Sequence, residues 1–133
     1  MRKLFIEMFD THCHLDFMMG RLEKAEEEQE FVGAKGLNFS TFEELKAKHP
    51  FEFPQNFKGC IAVFCKPDLW MFKNFDDMFS GDKDVWFTFG CHPHFAEDFD
   101  VSVVQALRNA LRHPKVVALG EIGLDYSRKN RSS

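Results

Sequence analysis

The sequence predicts an α/β fold of about four parallel strands with intervening helices. Three observations carry this. Four short apolar runs recur along the chain, helix-like stretches alternate with them, and three of the runs end in polar residues that include His or Glu. The runs are apolar nearly throughout rather than at alternate positions. That pattern fits parallel strands covered on both faces.

The first strand is expected from Phe5 to Cys13, ending in Asp10-Thr11-His12-Cys13-His14. Leu22 to Phe31 is helix-like and rich in Glu, the pattern of a solvated face. Residues 33–57, with Pro50 and Pro54, read as an irregular connection. Within it, Thr41 to Lys48 opens on a capping residue with Glu44 three positions on, the spacing of a capping box. The second strand is Gly59 to Cys65, and the third is Val85 to Cys91. Between them Asp68 to Phe79 follows Pro67 and is helix-like, with Phe and Met on all sides. Val101 to His113 is the clearest helix. Val103, Val104, Leu107, Ala110 and Leu111 form one apolar stripe, Asp100 or Ser102 can cap it, and Pro114 stops it. The fourth strand is Lys115 to Gly120.

A length of 133 residues allows one ordinary domain, and no linker or internal repeat divides it. The chain holds 17 Phe against a single Tyr, which implies a sizeable buried surface. Its net charge of −4 argues against purely electrostatic binding of nucleic acid. Metal ions at a site would supply the missing positive charge. No apolar run approaches the roughly 20 residues that span a bilayer, so no membrane partner is expected. Met1-Arg2-Lys3 is followed by Glu7 and Asp10, which is not a signal-peptide pattern. Cys13, Cys60, Cys65 and Cys91 form no C-x-x-C pair. They read as reduced thiols of an intracellular protein, cytoplasmic or nuclear.

Three clusters carry the chemistry. In the first, His12 and His14 stand at i and i+2 of a strand, so both imidazoles face one side. Asp10 shares that parity and Asp16 follows just beyond. The plainer alternative is two unrelated polar residues at a strand end. In the second, Gly90-Cys91-His92-Pro93-His94, His92 suits a substrate phosphate or an ion, and His94 suits those or an ordinary loop surface. In the third, Gly120-Glu121-Ile122-Gly123-Leu124-Asp125-Tyr126, glycines flank Glu121 and permit close backbone approach. A carboxylate there can bridge two ions, or be an exposed loop residue. All three clusters fall at the carboxyl ends of predicted parallel strands, where such folds place active sites. His and Glu without thiolate pairs suit zinc, manganese or magnesium in a hydrolytic centre.

The stretches Asp10-Thr11-His12-Cys13-His14-Leu15-Asp16, Gly90-Cys91-His92-Pro93-His94 and Gly120 to Tyr126 resemble the TatD-type metal-dependent deoxyribonucleases, in order as well as in content. The resemblance covers about residues 8–127, and residues 21–57 are its least family-like part. It implies a TIM-like barrel of the metallo-dependent hydrolase superfamily. It implies a phosphodiesterase acting on DNA with divalent ions (Mg, Mn or Zn, two in a complete site), commonly as a 3′-to-5′ exonuclease. By resemblance His12 and His14 are ligands of one ion and Glu121 is the carboxylate bridging two. His92 lines the phosphate site, and Tyr126 belongs to the same rim.

The family draws two further His ligands and an Asp from strands beyond this point. A TIM barrel has eight strands in about 250 residues, and four strand candidates make half of one. Residues 1–127 therefore read as the amino-terminal half of such a hydrolase, from a splice product, gene fragment or partial gene model. Residues 128–133 are a polar, basic tail. An incomplete, non-catalytic chain that keeps the fold and part of the metal site is the alternative, and a related barrel hydrolysing amides or lactones is a third reading. Open strand edges are expected to favour self-association or pairing with another barrel segment.

Overall fold

The computed structural model describes residues 6–18, 42–71 and 82–127. The Glu-rich stretch from Leu22 to Phe31, most of the helix expected from Asp68 to Phe79 and the basic tail lie outside them. Four strands, β1 (Met8–Cys13), β2 (Phe57–Phe64), β3 (Val85–Cys91) and β4 (Val116–Ile122), form one parallel sheet in the order β1-β2-β3-β4. Helices α1 (Phe42–Lys48), α2 (Pro67–Trp70) and α3 (Val101–Ala110) and a 3₁₀ helix (Pro93–Asp98) lie between strands in the chain. Sequential parallel strands joined through helices make an incomplete TIM-like barrel.

The central strands show why continuous apolar runs were needed. Cys60, Ala62 and Phe64 of β2 stand beside Val85, Phe87 and Phe89 of β3 in unbroken register, all buried. Phe64 stacks on Phe89 at 5.3 Å between ring centroids, and Trp70 of α2 tilts against Phe89 at 5.3 Å. The Trp70 indole N–H donates to the Gly90 carbonyl at 3.1 Å, so the largest buried side chain also satisfies its one polar atom. From α3, Val103, Leu107 and Ala110 complete this core. Val104 is only partly buried and Leu111 is exposed, so the stripe is narrower than expected.

The outer strands differ from the expectation of full cover. β1 and β4 are largely exposed; Val117 keeps 51% and Leu119 47% of its surface accessible. Each pairs on one side only within the sheet, so its other edge has no strand beside it among the described residues. The apolar character of β4 therefore reflects surface that a further layer would cover, not surface already buried.

Of the two helix starts, that of α3 is capped as expected, and Thr41, the cap expected for α1, lies outside the described residues. Asp100 does cap α3, accepting from the Val103 amide at 3.0 Å and the Ser102 hydroxyl at 2.6 Å. For α1 the described cap is remote. The carboxylate of Asp82, just before β3 and buried, accepts from the amides of Phe42 (2.6 Å) and Glu43 (3.2 Å). Lys115 donates to the Asp82 carbonyl, so this one residue ties α1, β3 and the start of β4 together.

The pairings of β1 with β2 and of β3 with β4 each shift register twice, early in the strands (Met8/Phe9 and Phe87/Thr88) and again toward the polar end, between Asp10 and Cys13 and between Phe89 and Cys91. Such irregularities re-aim side chains beside functional sites. β4 also runs two residues further than expected, to Ile122, so Glu121 sits in the strand and not after it. Gly90 permits this: a Cβ there would strike the Glu121 carbonyl.

Candidate functional site

The carboxyl ends of the four strands bring together side chains that are distant in sequence. Cys13 packs into the core on one face of β1, which turns its neighbours His12 and His14 to the other face. Their Nε2 atoms lie 3.3 Å apart. From the far edge of the sheet, Glu121 on β4 reaches the same point. Its Oε1 is 2.7 Å from His12 Nε2 and 3.6 Å from His14 Nε2. One donor atom from each of these three residues falls within a 4.8 Å group, the one such group of His, Cys, Asp and Glu among the described residues.

Hydrogen bonds set the ring tautomers. His14 Nδ1 lies 3.2 Å from the Val63 carbonyl of β2, which can only accept. In the neutral ring Nδ1 therefore carries the proton and Nε2 presents a lone pair to the cluster. His92 has the opposite arrangement. Its Nδ1 accepts the His94 amide at 3.1 Å, so in the neutral ring the proton is on Nε2, 3.4 Å from Glu121 Oε2. The His92 amide donates to the Cys65 carbonyl at 2.7 Å, which holds the loop after β3 against the end of β2. His14 can thus ligate a cation through Nε2, whereas His92 offers a hydrogen-bond donor beside it.

The remaining candidates stand further off. Asp10 bends back to accept the His12 amide at 2.9 Å, and Asp16 accepts the Phe17 amide at 2.9 Å. Neither belongs to the three-residue group. His94 pairs with Asp125 at 2.9 Å, and Asp125 also accepts from the amide and hydroxyl of Ser127. That pair joins the loops after β3 and β4. The proximity of Asp125 to His94 arises from β3 and β4 being neighbours. Tyr126 is 74% exposed at the rim and makes no hydrogen bond among the described residues.

Cysteines flank the site without joining it. All four are free thiols. Burial, followed by the negative charge of Glu121, pushes Cys65 up to about 11, and burial also raises Cys91. Both are neutral thiols near pH 7 and poor ligands. The side-chain interaction between Cys13 and Cys60 lowers Cys13 and, with burial, raises Cys60.

The fold and the site together define a TIM-like barrel protein, present in part, with two histidines and a glutamate gathered at the carboxyl ends of its strands. The chain belongs to the TatD family: the family model described as TatD related DNase matches residues 9–133. It is 42% identical over 120 residues to the human (Homo sapiens) protein named 3'-5' RNA nuclease TATDN2, a stretch covering 90% of this chain and 14% of that protein. It is 44% identical over 43 residues to the 3'-5' ssDNA/RNA exonuclease TatD of Pantoea vagans, covering 32% of this chain and 16% of that protein. The protein of the same name from Klebsiella pneumoniae is 44% identical over 51 residues, 38% of this chain and 19% of the relative. The matches thus span under a fifth of each of these relatives.

Proposed function

We propose that this chain carries the first part of a divalent-metal-dependent phosphodiesterase that trims single-stranded nucleic acid from the 3′ end. The observation that carries the reading is the meeting of His12, His14 and Glu121 donors from opposite edges of the sheet. The donor chemistry fits a cation. Two imidazoles and a carboxylate offer lone pairs at one point, and in the neutral His14 ring the Val63 carbonyl leaves Nε2 as the lone-pair nitrogen. His12, His14 and Glu121 would hold one divalent ion (Mg, Mn or Zn). When bound, such an ion lowers the pKa of water and offsets charge on phosphoryl oxygens.

The chain's own residues do the positioning. Glu121 places one oxygen on the histidine pair and turns the other toward His92. If two ions bind, Glu121 would be the carboxylate shared between them. His92 presents Nε2–H beside the cluster, where it can donate to a non-bridging phosphate oxygen. His94 and Asp125 clamp the loops that carry His92 and Glu121. Tyr126 is available at the rim to meet the sugar or base. All four cysteines are free thiols, and among the described residues no helix is long and apolar enough to cross a membrane.

DNA follows from the family's description, and RNA is named for the human relative. Purified full chain incubated with 3′-labelled single-stranded DNA or RNA and Mg²⁺, Mn²⁺ or Zn²⁺ tests the proposal. Cleavage is expected to fall at least about 100-fold in His12→Ala and Glu121→Gln. Cleavage that survives both substitutions overturns the site.

A second reading is a non-catalytic chain that keeps the fold and part of the site. It is favoured by the exposed outer strands and by a cluster supplying ligands for one ion among the described residues. Metal binding without turnover on either substrate would select it. On this reading the chain acts by pairing through the open edges of β1 and β4.

A further inference from the structure

The polar end of the sheet is dominated by carboxylates. Asp10, Asp16, Asp68, Glu121 and Asp125 all lie on or just after the carboxyl ends of strands. A polyanionic strand crossing that end meets repulsion unless a cation stands in its path. Among the described residues, the Lys and Arg side chains fall almost entirely at the opposite end. Lys58 begins β2, Lys83 precedes β3 and Lys115 precedes β4. The basic residues of α1 and α3 lie in or just past their last turns, from which the chain runs on to the starts of β2 and β4. Lys66 is the exception. It follows β2, and the neighbouring Cys65 carbonyl anchors the His92 amide at 2.7 Å.

The Lys66 ammonium is mounted rather than dangling. Its Nζ stands 5.6 Å from the Phe95 ring centroid, and that ring is 6.1 Å from the His92 ring. The ammonium stands over an aromatic face while the side chain stays partly exposed, which lessens the entropy lost on binding. Its charge partner is Asp68, 3.1 Å away and two residues on. Asp68 is itself mostly exposed, so this pair is weak and exchangeable.

We propose that Lys66 contacts a phosphate of the bound nucleic-acid strand next to the one at Glu121, exchanging Asp68 for that phosphate. Phe95 holds the lysine at a fixed distance from His92, so one strand is gripped at two points. Lys66 is a binding residue and not a catalytic one. It sets affinity and salt dependence, and leaves the chemistry at His12, His14 and Glu121.

This inference rests on the nucleic-acid reading above, and its test separates the two. Binding of a fluorescein-labelled single-stranded ten-nucleotide oligomer to the full chain is followed by anisotropy in EDTA, so turnover plays no part. Lys66→Ala and Lys66→Gln should each flatten the dependence of log affinity on log salt by about 0.7, the contribution of one single-strand phosphate contact. The wild-type advantage should accordingly shrink about threefold between roughly 50 and 200 mM salt. Asp68→Asn should tighten binding in the wild-type background and much less in Lys66→Ala, because only the former has a lysine to release. Equal salt slopes for wild type and both Lys66 variants overturn this inference and leave the nuclease reading standing. Failure of the wild-type chain to bind the oligomer in EDTA also overturns this inference, whereas the nuclease reading stands or falls separately on the metal-dependent cleavage assay above. Thermal melts of Lys66→Gln, which keeps most of the stem, separate lost contact from lost folding.

Discussion

Replacing Gly90 with alanine adds one methyl group where β3 and β4 come closest. The new Cβ would lie against the Glu121 carbonyl, 2.6 Å from the Gly120 carbonyl carbon and 2.8 Å from that of Glu121. All three atoms are backbone, so the strand carrying Glu121 must shift as a whole. Overpacking of this kind costs about 1–3 kcal/mol. Displacing the support of a metal-binding side chain lowers metal affinity about 10- to 100-fold. Gly59→Ala is the matched control. Its Cβ would collide with the Asp84 carbonyl, including a carbon at 2.9 Å, at the other end of the sheet. Gly120→Ala is the neutral control, because a Cβ there meets nothing within 4 Å. Urea unfolding should rank Gly59→Ala and Gly90→Ala as similarly destabilised and Gly120→Ala as close to wild type. Calorimetric titration with Mn²⁺ or Zn²⁺ should find the affinity loss in Gly90→Ala alone. Wild-type metal affinity in Gly90→Ala, or an equal loss in Gly59→Ala, would refute the link between that glycine and the position of Glu121.

Asp82→Ala should lower stability by about 2 kcal/mol, since it strands the Phe42 and Glu43 amides at the start of α1; a change in urea midpoint equivalent to under about 0.5 kcal/mol would contradict the remote cap. Asp100 is held below the ordinary carboxylate range by the Ser102 hydroxyl and then the Val103 amide. A depressed folded pKa stabilises above the unfolded value and is lost as pH falls through the folded one. The stability gap between wild type and Asp100→Ala should therefore be constant near neutrality and close in acid; urea midpoints taken across pH check this, and a gap that widens in acid contradicts it. The exposed apolar residues of β1 and β4 should make the 133-residue chain associate with rising concentration. Light scattering reads this directly, and a monomer that melts cooperatively at high concentration is the opposing result.

Much of the candidate site could be read from one-dimensional spacing. His12 and His14 had to share a face because strand side chains alternate, and Cys13 between them had to turn inward. The expected strands and α3 also stand within a few residues of where they were placed, since apolar runs and a capped apolar stripe are local signals. The cap of α1 was a different matter. Asp82 lies 40 residues from the amide it accepts, and no local spacing encodes a contact of that separation. The same holds for His94 with Asp125 and for Lys66 above Phe95, which meet because parallel strands bring successive loops to one end.

Sequence alone determined that the chain alternates strands with helices and that two imidazoles share one face of the first strand. Both follow from side-chain periodicity, which is set by backbone geometry residue by residue. Only the tertiary structure decided that Glu121, across the full width of the sheet, closes on those imidazoles at 2.7 Å. It also decided which nitrogen of His14 and of His92 faces the cluster, through the Val63 carbonyl and the His94 amide. Sheet curvature and hydrogen-bond partners are collective properties of all four strands, and no single segment contains them.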